Sequence, residues 1–293
     1  MDNRSIYWDK SSVLADIFGV SKPIIATLHL PPLPGSAYYD RTGIKGILDT
    51  SKRELQICLD CGVNGIIVEN HGDIPFVKEK DLGSETIAAM SAVAYEVGQI
   101  ASRWHVPIGI NCLANAGHVA MSIAGIAGAR FIRVNEWVNA YVANEGFVEG
   151  EAGSILRHRS RLGFEDVKIF ADVHVKHGSH SVVADRPIGE LSKDAGFFCA
   201  DTLIATGLRT GDAPSPEEIA GIRAGQELPL LIGSGLTAEN VGELLGLVDG
   251  AIVASYFKRG GVWQNEVEEQ RVKSFMRAVQ RVRDGCGSEH QAG

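Results

Sequence analysis

In LPLLIGSGLTAEN, residues 228–240, an apolar run breaks into Gly233-Ser234-Gly235 and then enters a helical pattern. Leu230, Leu231 and Ile232 are too few for a helix and suit a strand buried on both faces. Thr237 stands at an N-cap position ahead of Val241, Leu244, Leu245 and Val248, which share one helical face. Strand, glycine turn and helix, in that order, make one βα unit.

The unit recurs along the chain. Strand signals fall at 24–30, 65–69, 107–111, 130–135, 168–176, 201–206, 230–234 and 250–255. Between them lie amphipathic segments, such as Ile87, Met90, Ala94, Val97, Ala101 and Trp104. Ser215-Pro216-Glu217-Glu218 supplies an N-cap, a proline at N1 and a glutamate at N3. Strands that each return through a helix must pair in parallel. Eight of them predict a single closed (β/α)8 TIM barrel, with a doubly wound open sheet as the alternative. A short N-terminal helix is expected near 8–18, within an N-terminal segment 1–22. The barrel is expected over 23–283, ending in a closing C-terminal helix with Val272, Phe275, Met276 and Val279 on one face. The tail 284–293 has little to pack and is expected to be disordered.

Composition narrows the partners. The 293 residues carry 28 Lys+Arg against 36 Asp+Glu, a net charge of −8, with 45% hydrophobic residues. An acidic chain of this kind points away from nucleic acid and anionic membrane as main partners. No secretory signal or membrane-spanning run is read, so a cytoplasmic location is expected, and a homo-oligomer. Of the 5 cysteines, Cys58 and Cys61 form a lone C-x-x-C without a second pair, read as reduced, buried thiols.

Alternation places a polar ring inside the barrel. In 131–135, Ile132 and Val134 suit the helix-facing side, so Arg133 and Asn135 point inward. In 168–176, Ile169, Ala171, Val173 and Val175 take the outer side and leave Phe170, Asp172, His174 and Lys176 within. Glu69, the pair Thr27 and His29, Asn111 and Thr206 complete the ring. Barrel interiors are ordinarily filled by branched apolar side chains. Some of these groups must neutralise one another, for example Arg133 with Glu69, because an unpaired interior charge is too costly. So many at one end point to a small-molecule pocket.

Glu69, Asp172, His174 and Lys176 are the catalytic candidates. His174 and Lys176 suit proton transfer, and Lys176 also suits Schiff-base formation or anion binding. The carboxylates suit a base, an acid or a carbocation stabiliser. Asn111 and Asn135 suit hydroxyl recognition, and His29 is either a wall residue or a catalyst. No compact motif demands a cofactor; a divalent metal on Glu69, Asp73, Asp172 or His174 is the open alternative. Gly233, Ser234 and Gly235, followed one strand later by Ser255-Tyr256-Phe257-Lys258, suit a phosphate site built from amides, hydroxyls and a cation.

Several stretches carry a family resemblance. LHLPPLPGS (28–36), GIIVENHGDIPF (65–76), PIGINCLAN (107–115), GARFIRVN (128–135) and EGFVEGEA (145–152) are followed by ADVHVKH (171–177), ATGLRTG (205–211), IGSGLTAENV (232–241) and SYFKRGG (255–261). In this order, from about residue 23 to 281, they resemble the BtpA/SgcQ family of predicted barrel enzymes. One branch of that family is linked to photosystem I biogenesis in phototrophs, and sugar-operon members to nucleosidase activity. The resemblance implies a pocket containing Glu69, Asn70, Asp73, Asn111, Arg133, Asn135, Asp172, His174, Lys176, Thr206 and Ser234. The chain departs from the family pattern at Ala114-Asn115-Ala116 and at NEWVNAYV (135–142), on loops that would shape substrate choice.

The expectation is therefore an enzyme for a small phosphorylated sugar or ribosyl compound. Its phosphate would sit at 233–235 and Ser255, and its reacting carbons near Glu69, Asp172, His174 and Lys176. Nucleosidase-type hydrolysis and isomerase or lyase chemistry both fit. The rival from another class is a non-catalytic assembly or stability factor of the photosystem I biogenesis type.

Overall fold

The computed structural model describes residues 10–288. Eight parallel strands close into a barrel. In chain order they are β1 (Ile24–His29), β2 (Gly65–Glu69), β3 (Ile108–Asn111) and β4 (Phe131–Val134). An antiparallel hairpin of β5 (Ala140–Ala143) and β6 (Gly146–Glu149) intervenes. Then come β7 (Lys168–Asp172), β8 (Thr202–Ala205), β9 (Leu230–Ile232) and β10 (Gly250–Val253), which returns to pair with β1.

The expected alternation holds where the ladder holds. Ile66, Val68, Ile132 and Val134 lie in the layer between strands and helices. Ile25, Ile67, Phe131, Phe170, Ile204, Leu231 and Ile252 fill the lower barrel. The short helix Val13–Phe18 plugs that end: Phe18 meets the Phe131 and Phe170 rings at 5.8 and 6.4 Å, and those two stack at 4.3 Å. Gly109 makes this possible, because a Cβ there would collide with the Phe131 ring. The apolar floor closes the lower end of the barrel, and the C-terminal rim stays open.

Some elements differ from expectation. The strand expected over 168–176 ends at Asp172; Val173 still donates to the Ile204 carbonyl, and beyond it the chain leaves the ladder. Thr237 Oγ1 accepts from the Glu239 and Asn240 amides, but the helix that follows, Val241–Leu244, is a single turn. Trp104 lies past the helix Ser84–Ser102 and is largely exposed. Ser215 Oγ accepts the Glu218 amide as expected of an N-cap. The closing helix, Glu269–Ser288, buries Val272, Phe275 and Val279 and runs into the stretch expected to be disordered, so 284–288 are helical. Residues 1–9, with Trp8, and 289–293 lie outside the described residues. Cys58 is buried, but Cys61 is only partly so. Among the described residues, no helix is long and apolar enough to cross a membrane.

Candidate active site

Parallel pairing sets His29 opposite Glu69 and Glu69 opposite Asn111, so the last residues of β1, β2 and β3 form one rung at the rim. Asn111 Nδ2 donates to Glu69 Oε2 at 2.8 Å. His71, in the turn after β2, brings Nδ1 to 3.1 Å from Oε1, and His29 Nε2 stands 3.7 Å from the same oxygen. Burial, and then the charge of His71, push the His29 imidazole down to about 3, so it is neutral at pH 7. Burial works to raise the Glu69 pKa, but the His71 hydrogen bond and the positive charge nearby, that of Arg133 included, outweigh it. The carboxyl is held well below its usual range.

On β4, Arg133 donates from Nε and Nη2 to the two oxygens of Asp172 on β7, each at 2.9 Å. Asn135 Nδ2 adds a bond of 3.2 Å to Asp172 Oδ2. Arg133 is thus neutralised by Asp172 rather than by Glu69. The Asp172 side chain is wholly buried in doing so and does not line the cavity, so it positions Arg133 instead of meeting substrate.

Above these groups lies a cavity of about 680 Å³. Thr27, His29, Glu69, Asn111, Arg133, Asn135, Lys176, Gly233, Ser234, Gly235 and Ser255 line it. Lys176 reaches it from the loop after β7. Burial, and then the Arg133 charge, pull its ammonium down to about 8 against the opposing pull of nearby carboxylates. Among the described residues, no carboxylate lies within ion-pair distance of its amine.

Besides Asp172, four expected site residues fall outside the cavity lining. His174 faces the helix Pro216–Gly225, with its ring 3.9 Å from His180 and its Nδ1 3.8 Å from Glu218. Burial, then His180, lowers its pKa to about 4. Once β7 ends at Asp172, strand alternation no longer governs where its side chain points. Asn70 and Asp73 bond each other at 3.0 Å; Asn70 also donates to the Leu113 carbonyl, and Asp73 accepts the Leu33 amide at 2.7 Å. They tie together the loops after β1, β2 and β3. Thr206 donates to the His174 carbonyl at 3.1 Å. Asp73, Asp172 and His174 therefore join Glu69 in no common metal-binding group.

The glycine turn is also reassigned in part. A Cβ on Gly233 would meet Ile204 Cγ2 at 2.5 Å, and one on Gly235, at φ +76°, would meet the Ala213 amide nitrogen. Ser234 Oγ donates to the Asp212 carbonyl at 2.7 Å and accepts the Gly207 amide at 3.2 Å. These residues seat the loop 207–213 against β9, and the Ser234 hydroxyl is occupied. Lys258 is buried with its Nζ 2.6 Å from Glu54 Oε2, away from the cavity. Arg271, from the closing helix, lines the cavity instead, its guanidinium 4.3 Å from the Tyr256 ring centre.

Sequence reasoning missed His71, Tyr141, Trp263 and Arg271 as lining residues. His71 keeps the two-residue step from Glu69, a signal alternation could have carried. Trp263 and Arg271 follow the last strand and fold back over the mouth, and nothing local marks them. Tyr141 arrives on the hairpin, which Lys78 Nζ pins at the Phe147 carbonyl, 2.6 Å away. Glu136, just ahead of that hairpin, does not line the cavity; burial, then the Asp172 charge, push its carboxyl up to about 8.

The BtpA family model matches residues 20–281. The chain belongs to this family. A BtpA-family relative from Synechocystis sp., named a photosystem I biogenesis protein, is 34% identical, with 91% of each chain covered. A Caenorhabditis elegans protein, uncharacterised and named as mitochondrial, is 37% identical over 91% of this chain and 96% of its own. Among solved structures, thiamine phosphate pyrophosphorylase from Pyrococcus furiosus matches with a TM-score of 0.55 at 14% identity, covering 89% of this chain and 96% of that one. N-(5'-phosphoribosyl)anthranilate isomerase from the same organism matches with a TM-score of 0.53 at 14% identity, over 89% and 99%. At such identities the likeness is one of fold, and the TIM barrel is the fold they share.

Proposed function

We propose that this BtpA-family chain is an enzyme that takes a small phosphorylated ribosyl compound into the cavity and hydrolyses its N-ribosyl bond. One observation carries the reading. The Glu69 carboxylate and the Lys176 amine line the same cavity, and a pKa of about 8 lets Lys176 release a proton near neutral pH. The carboxylate offsets positive charge on the sugar ring, and the ammonium protonates the leaving base as the N-ribosyl bond breaks; water then adds to the anomeric carbon and gives up a proton to the Lys176 amine. Phe76, Tyr141, Tyr256 and Trp263 offer flat apolar walls for that base. Ser255, the backbone at 233–235 and Arg271 form the anion-binding corner. Two fold neighbours named for phosphorylated compounds support a phosphorylated substrate by analogy.

The Lys176 amine, with no carboxylate in ion-pair distance among the described residues, favours one rival, imine formation with a sugar carbonyl leading to isomerisation or carbon–carbon cleavage. An assembly role, of the kind named for the Synechocystis relative, would rest on exposed surface and not on these lining groups. The test incubates the chain with nucleosides, nucleotides and sugar phosphates and follows free base by chromatography. Base release that Lys176→Met abolishes supports hydrolysis. A borohydride-stable adduct on Lys176 moves the reading to imine chemistry. No turnover and no ligand-induced rise in melting temperature across the panel would overturn both.

A further inference from the structure

We propose that His29, Glu69 and His71 bind a divalent first-row transition-metal ion at the barrel rim, with open coordination positions turned to the cavity. One donor atom from each lies within 4.8 Å of the other two, and all three residues line the cavity. Glu69 Oε1 is the hub, 3.1 Å from His71 Nδ1 and 3.7 Å from His29 Nε2. Donors bound to one ion at about 2.0–2.2 Å sit roughly 3–3.5 Å apart, so shifts of a few tenths of an ångström bring Glu69 into range of both rings. The imidazoles now stack at 4.2 Å with planes 17° apart. A nitrogen binds a metal in the plane of its ring, so closing the site requires one ring to leave the stack. His71, on the turn beyond β2, is the one placed to turn.

Unsatisfied atoms beside the triad point to a missing ligand. Asn111 is 2% exposed; its Nδ2 is bonded to Glu69, yet its Oδ1 has no hydrogen-bond partner. His29 Nδ1 has none either, and at 3.7 Å its Nε2 is too far from Glu69 to be bonded. The His29 side chain is 6% exposed, and an imidazole so placed with neither nitrogen hydrogen-bonded among the described residues is unusual, because buried polar atoms are ordinarily satisfied. An ion on Nε2 gives His29 the partner it lacks, and a water on that ion can donate to Asn111 Oδ1.

The donor set limits the ion. Two imidazoles and one carboxylate suit Zn²⁺, Co²⁺ or Mn²⁺ better than Mg²⁺ or Ca²⁺, which take oxygen ligands. Three protein donors facing an open cavity match a catalytic rather than a structural site. Glu79, His118 and Glu151 also lie within donor range of one another. That cluster is partly exposed and does not line the cavity, so it serves as the control.

The metal site stands whether or not hydrolysis is the reaction, because its test reads the ion alone. The full chain, stripped with chelator, is titrated with Co²⁺ by calorimetry and visible spectroscopy. Wild type should bind one equivalent and develop the d–d bands of mixed nitrogen and oxygen ligation. Glu69→Gln and His71→Asn should each weaken binding by at least about tenfold, while His118→Asn should bind as wild type does. Absence of saturable binding would overturn the site, as would undiminished affinity in both pocket variants. Loss of binding in His118→Asn would move the ion to the surface cluster. Melting curves check each variant; should His71→Asn not fold, Glu69→Gln and the wild-type spectrum decide.

Discussion

Arg133 and Asp172 sit on neighbouring strands and form a fork, Nε to Oδ1 and Nη2 to Oδ2, both at 2.9 Å, with the Asp172 side chain fully buried. A planar guanidinium held at two points cannot swing, so Arg133 presents a fixed charge at the cavity floor. Removing one partner of such a pair leaves the other charged and buried. Asp172→Asn should therefore cost about 3–5 kcal/mol in urea unfolding. A loss below about 1 kcal/mol would mean that Asn135 and water satisfy Arg133 unaided.

Lys176 should govern turnover and its pH dependence. Once a substrate is known, Lys176→Met should lower kcat by about a hundredfold or more at nearly unchanged melting temperature. If the ammonium is the acid, wild-type activity should fall as pH rises through about 8, where the group loses its proton. His174→Gln, outside the cavity, should leave both profile and rate unchanged. A rate loss in His174→Gln equal to that in Lys176→Met would return His174 to the site.

Glu136 should make stability depend on pH. Burial, then Asp172, raise its pKa from the ordinary 4.5 of a glutamate to about 8 in the fold. Between those values the unfolded chain releases a proton that the folded chain keeps. Stability therefore falls as pH rises through this window and levels off above about 8. Glu136→Gln cannot ionise, so its melting temperature relative to wild type should climb from pH 5 to pH 9. A constant difference across that range would show that Glu136 is ionised in the fold.

The barrel floor should be intolerant at Gly109. A methyl there meets the Phe131 ring, so Gly109→Ala should destabilise by about 1–3 kcal/mol. Adding Phe131→Leu should recover part of that loss, a coupling readable in a double-mutant cycle of denaturant midpoints. Simple additivity would mean that the ring moves aside without strain.

Sequence alone determined the barrel and part of its rim. Eight short apolar runs separated by helical patterns admit few ways to bury every strand, and a side-chain period of two sends Glu69, Asn111, Arg133 and Asn135 inward once Ile66, Ile132 and Val134 face the helices. Tertiary structure decided the rest. Alternation predicts direction only while a strand remains hydrogen-bonded to its neighbours, and no residue in 168–176 announces that the ladder stops at Asp172. That one boundary turns His174 toward Glu218, while Lys176 reaches the cavity from a loop. Partner choice was equally illegible. Arg133 could have met Glu69 or Asp172, and Lys258 could have met an anion or Glu54; distances set by the closed barrel and its helices selected Asp172 and Glu54. His29 and Glu69 meet through the pairing of β1 with β2, whereas Trp263 joins His29 and His71 only because the segment after β10 folds back across the mouth.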